Sequence, residues 1–277
     1  MPFRSRQIIP EVVAFTGGFH GRTAGSLALT AREKYQAYFR PLMPDVRYAT
    51  FNDLEAAEKI IGPATCAVFV ETIQGEGGIH PATPEFLAGL RAACDHYGAL
   101  LVFDEIQCGM GRTGKLWAYE HGNIQPDMMT LAKALGGGLP IGVTLLTDRV
   151  AKVMDLGDHG STFAGGPVIC RVAETVLNRV SDPAMLAHIT AMGNLLIERL
   201  SELHAPQITD IRGRGLMVGV EMDRDVSPLI QAGHAHGLLM INAGTNVLRL
   251  LPPLVVEAAH IDEFIAILDT LLTESAA

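Results

Sequence analysis

Lys133 lies in the stretch MMTLAKALGGGLPIG, residues 128–142, between an apolar run and three glycines. An unpaired ammonium is expensive to bury, so a lysine placed there is either solvated at a strand exit or held for chemistry. Three other apolar runs also lead to polar residues of different types. EVVAF leads to His20 and Arg22, TCAVFVETI carries Glu71, and ALLVFDE ends at Asp104 with Gln107 just beyond. Any one of these suits an ordinary strand end. Four arriving from separate segments point to a cleft at the carboxyl edge of a parallel sheet, where ligands of such folds bind.

The residue types define the chemistry. A lysine in a partly desolvated pocket gives up its proton readily and becomes an amine suited to Schiff-base formation. Enzymes that use pyridoxal 5'-phosphate (PLP) pair that lysine with an acid that keeps the pyridine nitrogen protonated. Asp104 fits the second role, and an arginine supplies forked donors that match a carboxylate. The glycines after Lys133 do not make a phosphate loop, because a Walker motif places its lysine after the glycines. The ten histidines show no H-E-x-x-H or paired ligand spacing, so no metal is expected.

These residues need elements to hold them. EVVAF, TCAVFVETI, ALLVFDE, DMMTLA and VTLLT read as strands. The unbroken apolarity of ALLVF suits a strand covered on both faces. Between the second and third lies a well-signalled helix. Thr83 is placed to cap it, Pro84 opens it, Phe86, Leu87, Leu90 and Cys94 recur on one side, and Gly98 ends it. Residues 1–165 therefore form an α/β domain around a doubly wound, mostly parallel sheet. Residues 166–277 form a smaller α+β domain. GPVICRVAETVLNRV and PAMLAHITAMGNLLIERLSEL are helical, ITDIRGRGLMVGVEM and GLLMINAGTNVLRLLPP are strand pairs, and AAHIDEFIAILDTLLTES is a closing helix. His234 and His236 read as a solvated helix end. The first ten residues, with Pro2 and Pro10, have no clear period.

Composition narrows the partners. The 277 residues are 48% hydrophobic and 18% charged, with 29 glycines and a net charge of −9. That suits a packed enzyme that handles small molecules, with neither a nucleic acid nor an anionic membrane as partner. Arg212 and Arg214 are too few to count as a basic patch. Four irregularly spaced cysteines form no disulfide framework, and the start MPFRSRQIIPEVV has no apolar signal region, so a cytoplasmic location is expected.

Six stretches resemble the class III, PLP-dependent aminotransferases, and within them the acetylornithine aminotransferases most. They are FHGRT (19–23), ETIQGEGGIHPATPEFL (71–87), FDEIQCGMGRTG (103–114), TLAKALGGGLPIG (130–142), GDHGSTF (157–163) and NVLRLLPP (246–253), in the family's order. The resemblance implies PLP-dependent fold type I. It makes Lys133 the lysine that carries the cofactor and moves the proton. It puts Asp104 at the pyridinium nitrogen, Gln107 near the ring hydroxyl, Phe19 on the ring face and Arg22 at the substrate α-carboxylate. Thr162 would bind phosphate and Ser161 would lie near substrate in the neighbouring subunit's site, which implies a homodimer with shared active sites. Glu71 and Arg249 resemble the glutamate–arginine pair whose arginine accepts 2-oxoglutarate. Taken singly, Phe19 also suits core packing, Arg249 an exposed strand position, and Ser161 and Thr162 a helix cap before GGPVICRV.

The implied reaction passes an amino group from N2-acetylornithine to 2-oxoglutarate, giving a semialdehyde and glutamate, as in arginine biosynthesis. Succinylornithine, ornithine and 4-aminobutyrate are the alternative amines. The sequence departs from the family at Thr72, where proline is usual, and at Gly166, where asparagine is common. It also contains no S-G-[TS]-E-A segment, the family's phosphate-cradling motif. The chain thus resembles a shortened member, and a catalytically silent fragment is the competing expectation.

Overall fold

The computed structural model describes residues 10–274, so the aperiodic start around Pro2 lies outside the described residues. The chain is built on β1 (Glu11–Phe15), β2 (Val46–Ala49), β3 (Thr65–Glu71), the short β4 (Ile73–Gln74) and β5 (His80–Pro81), then β6 (Leu100–Asp104), β7 (Met128–Leu131) and β8 (Val143–Leu146). Six of these form one sheet in the order β2-β1-β3-β6-β7-β8, and β4 pairs with β5 separately. Every pair in the large sheet is parallel except β7 with β8. This is the mostly parallel α/β sheet expected, with one antiparallel edge.

Local chemistry explains the elements. The run from Leu101 to Asp104 in β6 is buried throughout, as a central parallel strand requires. The helix Pro84–Tyr97 starts where Thr83 Oγ1 accepts from the Phe86 amide at 3.1 Å and stops at Gly98, whose φ is 72°. Its buried face, with Phe86, Leu90 and Cys94, packs on β3 and β6 together with Phe15 and Phe51. Phe15 and Phe86 meet edge to face at 5.1 Å. Burying each such ring contributes about 1.5–3 kcal/mol. The short strand β2 and the short helix Ala24–Leu29 were not apparent from the residue pattern.

The second sheet is antiparallel. Its strands β9 (Ile208–Arg214), β10 (Met217–Met222), β11 (Ile241–Ala243) and β12 (Val247–Leu250) lie in the order β11-β12-β10-β9. The helices Pro183–Glu202 and Ala258–Glu274 cover it through Leu196, Leu200, Leu268 and Leu271. The helix Ser227–Ala235 ends beside His234 and His236, both exposed as expected. Cys94 and Cys108 are buried, and all four cysteines are free. Among the described residues no helix is long and apolar enough to cross a membrane.

One glycine brings the two sheets together. A Cβ on Gly219 of β10 would lie 2.9 Å from Ile79 Cβ and 3.3 Å from the Gly78 carbonyl. Gly219 pairs in register with Arg249 of β12, so this close approach also carries Arg249 toward the 75–79 loop. Gly219→Val should overpack that contact and lower stability by about 1–3 kcal/mol. A urea midpoint that does not fall would contradict this reading of the contact.

Candidate active site at the strand ends

Parallel register gathers the chemistry. Glu71 closes β3 directly opposite Asp104 of β6, and Asp104 in turn lies opposite Thr130 of β7. Lys133 follows β7 by two residues, at the start of a short 3-10 turn, Lys133–Gly136. Its φ of +46° lies in the left-handed region, which a residue with a side chain seldom occupies. Gly137, at φ 56°, then ends the turn. Among the described residues no hydrogen bond or ion pair engages the Lys133 ammonium. The residue is exposed, yet surrounding protein desolvates its amine and lowers its pKa, against the opposing pull of Glu76 and Asp104.

Asp104 is buried and doubly held. Its Oδ2 lies 2.8 Å from His20 Nδ1, and its Oδ1 accepts from the Ile106 amide at 3.1 Å. Burial alone would push His20 down, but the hydrogen bond and charge of Asp104, with the charge of Glu71, carry it above its ordinary value. The buried pair thus favours the protonated form of His20 beside Asp104. His20 stood out only as a polar residue after β1, and its partner could not be read from one sequence.

The expected pairing of Glu71 with Arg249 is not the one the structure holds. Arg249 Nη1 donates to Glu76 Oε1 at 2.6 Å and to Gln107 Oε1 at 3.2 Å. Glu71 instead accepts the Phe19 amide at 2.8 Å and the Gly75 amide at 3.0 Å. The reason is positional. Glu71 ends a buried strand beside Asp104, whereas Glu76 lies in the glycine-flanked loop that faces β12. Burial alone would raise the Glu76 carboxyl, but Arg249, through its hydrogen bond and charge, with Lys133 and Arg32, holds it below its ordinary value. Glu76 was missed in the sequence. Its signal was a second carboxylate within QGEGG, free to reach across a cleft.

The remaining expected residues divide into two groups. Gln107 joins the centre, donating to Glu76 at 3.4 Å as well as accepting from Arg249. Phe19 is half-buried and meets Tyr35 edge to face at 5.9 Å. The Arg22 guanidinium lies 3.8 Å from the Tyr35 ring centre and 6.0 Å from that of Phe19. This stacking holds the guanidinium over the Tyr35 ring. Ser161 and Thr162 stand exposed and make no bond to the Lys133 cluster. Nor does either cap the helix Pro167–Val180, where Gly166 occupies the cap position.

Two carboxyls that touch no open surface also titrate abnormally. Burial pushes Glu71 and Glu105 up to about 7 each. Glu105 accepts the Ala118 and Tyr119 amides, both at 2.7 Å, and so anchors the loop after Gln107. Because these pKa values rise on folding, the native state binds more protons than the unfolded chain between about pH 4.5 and 7. Their contribution to stability is therefore lost as pH rises through that window. Glu105→Gln should flatten the fall of the urea midpoint between pH 5 and 7.5. An unchanged slope would contradict the buried assignment.

Comparison with known proteins places this geometry in a family. The Aminotransferase class-III family matches residues 3–272. The acetylornithine aminotransferase, mitochondrial, of Alnus glutinosa is 49% identical over 267 residues, which are 95% of this chain and 59% of that protein. The succinylornithine transaminase of Yersinia pseudotuberculosis is 45% identical, over 92% of this chain and 63% of its own length. The solved ornithine aminotransferase of Toxoplasma gondii superposes with a TM-score of 0.93 at 29% identity, covering 99% of this chain and 67% of that one. The chain thus spans about 60% of the curated relatives it matches. Class III aminotransferases are PLP-dependent, and the chain belongs to that family.

Proposed function

We propose that this chain carries the catalytic half-site of a PLP-dependent aminotransferase acting on an ω-amino derivative of ornithine, with 2-oxoglutarate as acceptor. One observation carries the reading. A desolvated, unpartnered lysine amine lies within the field of a buried carboxylate–imidazole pair and of an arginine held by a carboxylate. The relatives favour N2-acetylornithine, and thus a step of arginine biosynthesis, with succinylornithine, ornithine and 4-aminobutyrate as the competing amines. The same lysine, carboxylate and arginine set is compatible with each of these amines.

The donor set fits PLP at the ring end. Asp104, buried and held by His20, would keep a ring nitrogen protonated, and Lys133 would offer the free amine that a carbonyl requires. Phe19 and Gln107 would flank the ring. When bound, PLP supplies an electron sink for the carbon that loses its proton. Lys133 Nζ then takes that proton and returns it, which its lowered pKa favours. Arg22 binds the donor's α-carboxylate through its forked N–H groups. Glu76 holds Arg249 while the amine donor occupies the cleft and releases it to the second carboxylate of 2-oxoglutarate. Gln107 follows that exchange, because it bonds to both partners.

Ser161 and Thr162 support a homodimer with shared sites. Their segment is exposed from Ala151 onward, and its apolar side chains Leu156 and Phe163 are 107% and 87% accessible. Exposed apolar side chains on the segment that carries Ser161 and Thr162 are consistent with burial against another chain. There Thr162 would donate to phosphate and Ser161 would approach substrate. Light scattering that finds only monomer would contradict this assembly.

Purified protein given PLP and 2-oxoglutarate should release glutamate from acetylornithine, with higher kcat/KM than from 4-aminobutyrate. Lys133→Ala should lower kcat by about 10²–10⁴-fold or more, since it removes the proton-transfer group. Turnover equal to wild type would end the proposal.

A further inference from the structure

Glu71 has no part in the chemistry just described, although it is buried among the groups that do. The residue is 4% exposed, and its carboxylate accepts two backbone N–H groups from different loops. One comes from Phe19, 52 residues upstream, and the other from Gly75, four residues downstream. These amides belong to the aromatic residue that would flank the ring and to the residue just before Glu76. Gln74 Nε2 also bridges the loops, donating to the Thr16 carbonyl at 2.8 Å, but it secures neither Phe19 nor Glu76.

We propose that Glu71 is a positioning residue: its carboxylate fastens the Phe19 loop to the Gly75–Glu76 loop and thereby sets the backbone of the cofactor face and of the Arg249 holder together. A carboxylate that accepts two amides offers two short, charge-assisted bonds in a site closed to water. Neither loop has a regular strand or helix at these residues to fix it independently. Packing adds to the constraint, because a Cβ on Gly75 would lie 2.1 Å from Gln107 Oε1. Movement of the Gly75 backbone therefore disturbs Gln107, and Gln107 touches both members of the Glu76–Arg249 pair. In consequence one buried carboxyl couples the cofactor face to the dicarboxylate side of the cleft.

The coupling depends on charge. Glu71 lies within the field of His20, Asp104, Lys133 and Cys108. A protonated carboxyl presents an O–H where one amide needs an acceptor, so one of the two ties is weakened. Burial puts this transition near neutral pH, since it pushes Glu71 up to about 7.

The inference rests on the PLP reading above for its effect on cofactor, but not for the clamp itself. Residue-resolved hydrogen exchange on the cofactor-free chain, corrected for intrinsic rates, tests the clamp. Protection of the Phe19 and Gly75 amides should be clear in wild type at a fixed pH of 8. In Glu71→Gln it should be lower at that pH, while the helix Pro84–Tyr97 keeps its protection and so reports an intact fold. A PLP titration followed by absorbance should then give a dissociation constant raised about 10–100-fold in Glu71→Gln, and more in Glu71→Ala. Equal protection of both amides in wild type and Glu71→Gln overturns the proposal. An unchanged PLP affinity alongside loosened amides overturns it too. If wild type gives no PLP absorbance change, the functional reading fails, and the amide comparison alone decides whether Glu71 fastens the loops.

Discussion

The registers of β3, β6 and β7 are the constraint on which the site depends. Parallel pairing sets Glu71, Asp104 and Thr130 side by side at one edge, and it brings Lys133 to that edge two residues later. A one-residue slip in any of these pairings would turn Asp104 to the opposite face of the sheet. The apolar runs Val68–Val70 and Leu101–Phe103 prevent the slip, because their burial requires this alignment with the helix Pro84–Tyr97. Core packing and site chemistry are thus parts of one arrangement.

Three carboxylates share this edge, and each has a different use because each has a different partner. Asp104 is paired with His20, Glu76 with Arg249, and Glu71 with two backbone amides. Only the last lacks a cation in direct contact, and burial pushes its pKa up to about 7. The cations divide in the same way. Arg249 is engaged, Arg22 is stacked on Tyr35, and Lys133 is left without a bonded partner. An unbonded, desolvated amine between a buried acid and an engaged arginine is what the proposed chemistry needs. Exposed surface pairs such as Arg171–Glu174 contribute little by comparison.

The parts that were legible in the sequence are those in which local physics determines the outcome. Val13, Val70 and Val102 lie in apolar runs that could only be buried strands, and Thr83, Pro84 and Gly98 marked a helix with both ends visible. The reversed direction of β8 was not legible, since VTLL reads alike in either direction. Glu71 and Glu76 were exchanged for a related reason. Their spacing in ETIQGEG says nothing about which one faces β12, and that is decided by the close approach at Gly219, far away in the chain. Pairing of His20 with Asp104 spans 84 residues and was likewise out of reach. Ser161 and Thr162 were named for a role that the folded single chain does not bring to its own cleft.

The central claim is that Lys133 is the reactive amine of a cleft that holds PLP against Asp104. The chain spans about 60% of its curated relatives, so this claim is best tested on the chain itself, with a covalent readout that needs no turnover. The protein should be mixed with PLP, reduced with borohydride, digested, and mapped by mass spectrometry. The account predicts one phosphopyridoxyl group per chain, on Lys133, and its loss or redistribution over surface lysines in Asp104→Asn. Labelling spread over Lys34, Lys59 and Lys152 at the level of Lys133, and unchanged in Asp104→Asn, would contradict it.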